Sequence, residues 1–167
     1  WRRCVWGSAR VKPPSWSGSM ISLQPREFIR EDCVISTDPS RLDLNWIHNY
    51  LTNDAYWARG IPYQIFKKST ENALCFGVYH QERQLGFARV ISDFATFAYI
   101  GDVFIAQNYR GQGLGKWLLK TILNFPELQN LRRWMLVTAD AHGLYEPQGF
   151  KPLRHSENVM EIVAKKF

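Results

Sequence analysis

The chain has 167 residues, of which 46% are hydrophobic and 14% aromatic, with 21 Lys and Arg against 15 Asp and Glu. This length suits one domain with a sizeable core, the apolar share excludes disorder over most of it, and no apolar run nears the roughly 20 residues needed to span a bilayer. The net charge of +6 does not mark a nucleic-acid face, because Arg2, Arg3, Arg10 and Lys12 all fall in residues 1–19 and the remaining 17 basic residues nearly balance the 15 acidic ones.

Those first residues also carry Pro13-Pro14 and lack the apolar core of a signal peptide. With Met20 following, residues 1–19 are expected to be an added or misread extension, mobile in solution, and residues 20–167 the single domain. Cys33–Thr37 reads as a strand. Asp38-Pro39 supplies helix-start signals, and Leu42, Leu44, Trp46, Ile47, Tyr50 and Leu51 fit a first helix. A second helix is expected from Pro62 to Glu71, with Ile65 and Phe66 inward. The aromatic loop Ala55–Pro62 between them, with Tyr56, Trp57 and Arg59, is either an acceptor wall or packing against the first helix.

Ala73–His80 and Gln84–Ser92 read as strands of a hairpin turning at Gln81–Arg83. Ala95–Ile105 is a third strand. Lys116–Phe125 has a helical pattern that Pro126 stops. A strand over Arg132–Thr138, a short helix over Ala141–Gln148 capped by Asp140, and strands at Gly149–Leu153 and Val159–Val163 complete the chain. Periodicity alone gives an α+β domain.

Cys4, Cys33 and Cys75 make no metal-ligand spacing and no disulfide framework, and the four His residues are scattered. No metal is expected, and a reducing cytoplasm is the expected setting.

Between the third strand and the central helix lies Tyr109-Arg-Gly-Gln-Gly-Leu-Gly-Lys116. Gly111, Gly113 and Gly115 allow a tight turn, and a helix N-terminus beside Arg110 and Lys116 suits a diphosphate. A phosphate-binding P-loop fails, because Arg110 and Trp117 stand where it needs Gly and Ser or Thr. The dinucleotide fingerprint fails because Lys116 or Leu118 falls on its last glycine.

The run Arg110-Gly111-Gln112-Gly113-Leu114-Gly115 resembles the acyl-CoA-binding motif of the GNAT superfamily of N-acetyltransferases. Tyr99–Ala106 looks like that family's fourth strand, and Leu144-Tyr-Glu-Pro-Gln-Gly-Phe150 is similar to its late Tyr-Glu signature. The resemblance spans roughly residues 33 to 164. It implies a mixed, mostly antiparallel central sheet flanked by helices, with the family's fourth and fifth strands splayed apart.

It also implies an acyltransferase using acetyl-CoA and a small-molecule or peptide amine acceptor, with no nucleic acid or membrane partner; it allows a homodimer. The backbone of Val103, Phe104 and Ile105 is implied to hold the pantetheine arm, and that of Arg110, Gly111, Gln112, Gly113, Leu114, Gly115 and Lys116 the diphosphate. Arg110 and Lys116 are equally readable as solvated charges.

By the same resemblance, an N–H near Phe104 is the oxyanion donor and Tyr145 the general acid or a tyrosine packed on the cofactor. Asp102 is a base, an amine anchor or a structural partner, since neighbouring strand residues face opposite ways. Gly101 and Thr138 depart from the family's commoner acidic residue and Asn. No cysteine sits in a nucleophile motif, so direct transfer in a ternary complex is expected. A non-catalytic acyl-CoA sensor is the alternative.

Overall fold

The computed structural model describes residues 23–163. The proposed extension at residues 1–19 lies outside them. One six-stranded sheet organises the described residues: β1 (Glu27–Arg30), β2 (Cys33–Ser36), β3 (Leu74–His80), β4 (Arg83–Ser92), β5 (Phe97–Ile105) and β6 (Arg133–Met135). Spatial order equals chain order; every pair is antiparallel except β5 with β6.

Both faces are covered, which explains why β3 reads as a continuous apolar run. Helices α1 (Leu44–Asn53) and α2 (Tyr63–Glu71) close one face over Cys75, Phe87 and Phe104. Helix α3 (Leu114–Leu123) closes the other, with Leu114, Leu118, Leu119 and Ile122 against Phe76, Val78, Val90 and Ile100. Alternate strand residues thus feed two separate cores. Burying a Phe or Leu side chain on either side contributes about 2 kcal/mol.

The structure moves several expected boundaries. Asp38 caps only a 3-10 turn, Pro39–Arg41, while Asp43 caps α1 by accepting from the Trp46 N–H at 2.9 Å. On α2, Phe66 is buried but Ile65 is exposed, because the two adjacent positions lie about 100° apart around a helix. The β3–β4 turn is tighter than expected, pairing His80 with Arg83. Strand β1 escaped the sequence reading because it is a short, half-exposed edge.

Helix α3 starts two residues early, inside the glycine motif. Asp140 does not cap α4 (His142–Tyr145), whose N-cap is Ala141; the Thr138 hydroxyl instead accepts from the Ala141 N–H at 3.0 Å. The expected strands at 149–153 and 159–163 are not strands, since no sheet edge meets them. Val159, Met160, Ile162 and Val163 stand exposed there. Apolar, β-branched residues do not make a strand without a partner to pair with.

Candidate active site

Strands β5 and β6 pair over only three rungs, Phe97 with Arg133 to Tyr99 with Met135. Beyond Tyr99 they diverge, and the gap becomes a cleft of about 940 Å³. Its walls are the end of β5, the glycine loop, residues 137–141 after β6, Leu144 and Tyr145 of α4, and Tyr56 and Trp57 from the α1–α2 loop.

A β-bulge sets the wall on β5. Phe87 pairs with Phe104 and Arg89 with Gly101, so Asp102 and Val103 together oppose Ala88. Asp102 takes a positive φ of 55°, the left-handed conformation that G1-type bulges have at their first residue. Asp102 pairs there with Arg89, whose Nε donates to Oδ2 at 2.7 Å. The side chains of this pair are 16% and 12% exposed, and both residues line the cleft.

Phe104 sends its ring to the opposite face, where it stacks on Tyr50 at 3.8 Å, leaving only its main chain to serve the cleft. The Tyr50 hydroxyl accepts from Arg110 Nη2 at 2.6 Å, and Arg110 Nε donates to the Ile105 carbonyl at 3.0 Å. The Arg110 side chain therefore braces the strand end and the loop.

The loop itself is shaped by Gly111 and Gly113, at φ 79° and 76°, a region costing an ordinary residue about 1–2 kcal/mol. Gly113 is the N-cap of α3, and no side chain caps that helix. The N–H groups of Leu114, Gly115 and Lys116 are consequently left over at the helix start, and all three residues line the cleft. Gln112 does not line it. Its carbonyl accepts from Arg30 Nη2 at 3.1 Å, and the Arg30 guanidinium lies 5.1 Å from the Trp117 ring.

On α4, Tyr145 is 7% exposed, edge-on to Phe150 at 5.9 Å. The Tyr-Glu signature accounts for this: four helical residues, a 3-10 turn at Glu146–Gln148, and Gly149 at φ 95° fold Phe150 back onto the tyrosine. The Tyr145 hydroxyl has no hydrogen bond among the described residues. Burial, then the neighbouring Tyr56 and Tyr99 phenols and the Asp140 carboxylate, push its pKa up to about 12. It stays a donor throughout the neutral range.

The structure thus brings together Asp102, Val103, Phe104, Ile105, Arg110, Gly111, Gly113, Leu114, Gly115, Lys116 and Tyr145 around one cleft. Arg59 and Gln112 stand outside its lining. Sequence reasoning missed Arg89, Tyr99 and Asp140. Arg89 carried no motif, Tyr99 was read only as the start of a strand, and Asp140 was visible only as a cap. Among the described residues no three His, Cys, Asp or Glu side chains converge as a metal site, and no helix is long and apolar enough to cross a membrane.

Residues 43–150 match the model of the acetyltransferase (GNAT) family. A Gibberella zeae protein, named provisionally as acetyltransferase FG08082, is 33% identical over 86% of this chain and 93% of its own length. A crystal structure from Xanthomonas campestris pv. campestris, provisionally assigned as an acetyltransferase of the same family, is 45% identical. It covers 79% of this chain and 93% of that one, with a TM-score of 0.77. A Clostridium acetobutylicum structure, described as a predicted acetyltransferase with acetyl-CoA, shares the fold at 14% identity. Its TM-score is 0.56, over 84% of this chain and 95% of that one.

Proposed function

The chain belongs to the GNAT family of acetyltransferases, and on that premise we propose that it moves an acetyl group from acetyl-CoA to a primary amine in a ternary complex. One observation carries the reading. A single cleft is lined by uncapped helix N–H groups, a bulged strand edge and a buried phenol with an unbonded hydroxyl.

Each part has a role in that reaction. The N–H groups of the loop and the first turn of α3 bind the diphosphate, with Lys116 as a nearby cation. The edge of Val103 to Ile105, freed from β6, binds the amide-bearing arm as an added strand would. A neutral amine nitrogen adds to the thioester carbonyl carbon, and a main-chain N–H near Phe104 stabilises the oxyanion. Collapse breaks the C–S bond. The substrate ammonium gives up two protons: one ends on the free thiol, the other in solvent.

Tyr145 donates to the departing sulfur. Full transfer from a phenol titrating at about 12 to a thiolate of pKa about 8.5 is uphill by roughly 5 kcal/mol. The hydroxyl therefore acts as a hydrogen-bonding acid that shares its proton as the bond breaks. Asp102, already engaged by Arg89, anchors the amine or relays its proton through its second oxygen. A cleft that stays open past Tyr145 to Tyr56 and Trp57 favours an enzyme over a non-catalytic acyl-CoA sensor, which needs no room for an acceptor.

The test is thiol release from acetyl-CoA over a broad amine panel, beside calorimetric titration with CoA. Tyr145→Phe is expected to lower kcat roughly 10²-fold while CoA affinity holds. Full turnover by the variant removes Tyr145 from the reaction. No heat with CoA removes the whole reading.

A further inference from the structure

Building on the acetyl-transfer reading, the geometry points to the acceptor's class: a primary amine carried as a cation on an apolar, planar or aliphatic body, with no carboxylate beside the nitrogen. Two independent features lead there.

The first is how charge is divided along the cleft. Its cations Arg110 and Lys116 stand at the glycine loop, where the diphosphate binds. Away from that loop Arg89 is committed to Asp102 at 2.7 Å. Asp140 lines the same cleft beside Tyr56 and makes no ion pair among the described residues. An incoming ammonium meets a carboxylate there. An incoming carboxylate would meet the same charge, with Lys116 at the glycine loop the one lining cation among the described residues not already bonded to a protein group.

The second is an aromatic bridge. Tyr56 reaches from the α1–α2 loop across to the loop after β6. Its hydroxyl accepts from the Ala139 N–H at 2.9 Å and donates to Asp140 Oδ1 at 3.3 Å. Trp57 stands edge-to-face on it at 5.0 Å. Both rings are about half exposed, at 49% and 45%, so an apolar wall is fixed directly beside an anionic group. That pairing suits a cationic amine on an apolar body: rings attract the cation and cover the body, while the carboxylate takes the charge. Tyr145, nine-tenths buried with its hydroxyl unbonded among the described residues and lining the same cleft, marks the depth at which the nitrogen must arrive. Asp140 and Trp57 are thus specificity residues that hold the acceptor.

Matched substrates isolate the claim: 2-phenylethylamine against phenylalanine, and tryptamine against tryptophan, each pair differing by one carboxylate. The amines are expected to be acetylated with kcat/KM at least about tenfold above their amino acids. Losing one charge contact of this kind is about a tenfold effect. Asp140→Asn and Trp57→Ala are each expected to raise the amine KM about tenfold while the acetyl-CoA KM stays at the parent value; Asp140→Glu restores part of the loss. Equal use of the amino acids, an unmoved amine KM in Asp140→Asn, or refusal of both members of each pair by a protein that titrates with CoA overturns the inference. Failure to bind CoA at all instead overturns the acetyl-transfer reading beneath it.

Discussion

Asp102 is held by two separable forces, and a three-variant series separates them. Its carboxylate pairs with Arg89 where both side chains are mostly buried. Exposed pairs contribute about 0–1 kcal/mol, and breaking a buried one costs about 3–5; this intermediate case should cost about 2. Its backbone sits at φ 55°, which Asp and Asn tolerate, Gly adopts freely, and Ala adopts at a cost of about 1 kcal/mol or more. Asp102→Asn keeps the shape and the backbone preference and should lose about 1 kcal/mol. Asp102→Gly loses the pair but not the conformation, about 2 kcal/mol. Asp102→Ala loses both, about 3 kcal/mol. At roughly 2–4 °C per kcal/mol for a chain this long, the alanine variant melts about 6–12 °C below the parent. Urea midpoints with an unchanged slope give the same order independently. Equal stability of Ala and Gly would show that the left-handed backbone costs nothing. Parent-like stability in all three would show that the pair does not hold the bulge.

Two further outcomes follow from the same geometry. Gly113→Ala places a β-carbon on a residue at φ 76° at the mouth of the N–H cradle. It should cost about 1–2 kcal/mol of stability and weaken CoA binding about tenfold, read by denaturation and calorimetry; unchanged CoA affinity would remove the loop from binding. Burial raises the Tyr145 pKa to about 12 from an unfolded value near 10. Its contribution to stability is therefore complete below pH 10 and lost as pH rises from 10 to 12, because the unfolded chain releases that proton first. Stability measured across this window should fall less steeply in Tyr145→Phe than in the parent, and an identical slope would contradict the buried environment.

The parts of the fold legible in the sequence were those with local physics. The β3–β4 hairpin and α3 announced themselves through apolar runs and period, and the long β5 feeding the glycine loop through its apolar, aromatic length. Strand β1 did not, because a four-residue exposed edge strand has almost no pattern of its own. The two expected C-terminal strands show the converse failure: Val159, Met160, Ile162 and Val163 are apolar enough for a strand, yet pairing is a tertiary event that composition does not supply. The start of α1 was misplaced for a related reason. Asp38 and Asp43 are both chemically competent caps, and what selects Asp43 is its neighbourhood: its N–H donates at 2.9 Å to the buried Gln84, forty-one residues away.

The site divides along the same line. The part proposed to hold the cofactor is built from main chain, so its requirements fall on backbone freedom: Gly111 and Gly113 stand at positive φ, and the glycines left a readable signature. The part proposed to hold the acceptor is built from side chains brought together across the sheet. Tyr56 and Asp140, 84 residues apart, meet through one hydroxyl, and Arg89 pairs with Asp102 at a bulge in the strand. No spacing rule encodes such meetings, since any of those residues alone is an ordinary surface side chain. The consequence can be checked by exchange. Grafting this α1–α2 loop, with Tyr56 and Trp57, onto a relative of different acceptor preference should transfer little of that preference unless the partner's loop after β6 also supplies a carboxylate at the Asp140 position. Transfer by the first loop alone would mean that the aromatic wall, rather than its pairing with the carboxylate, selects the amine.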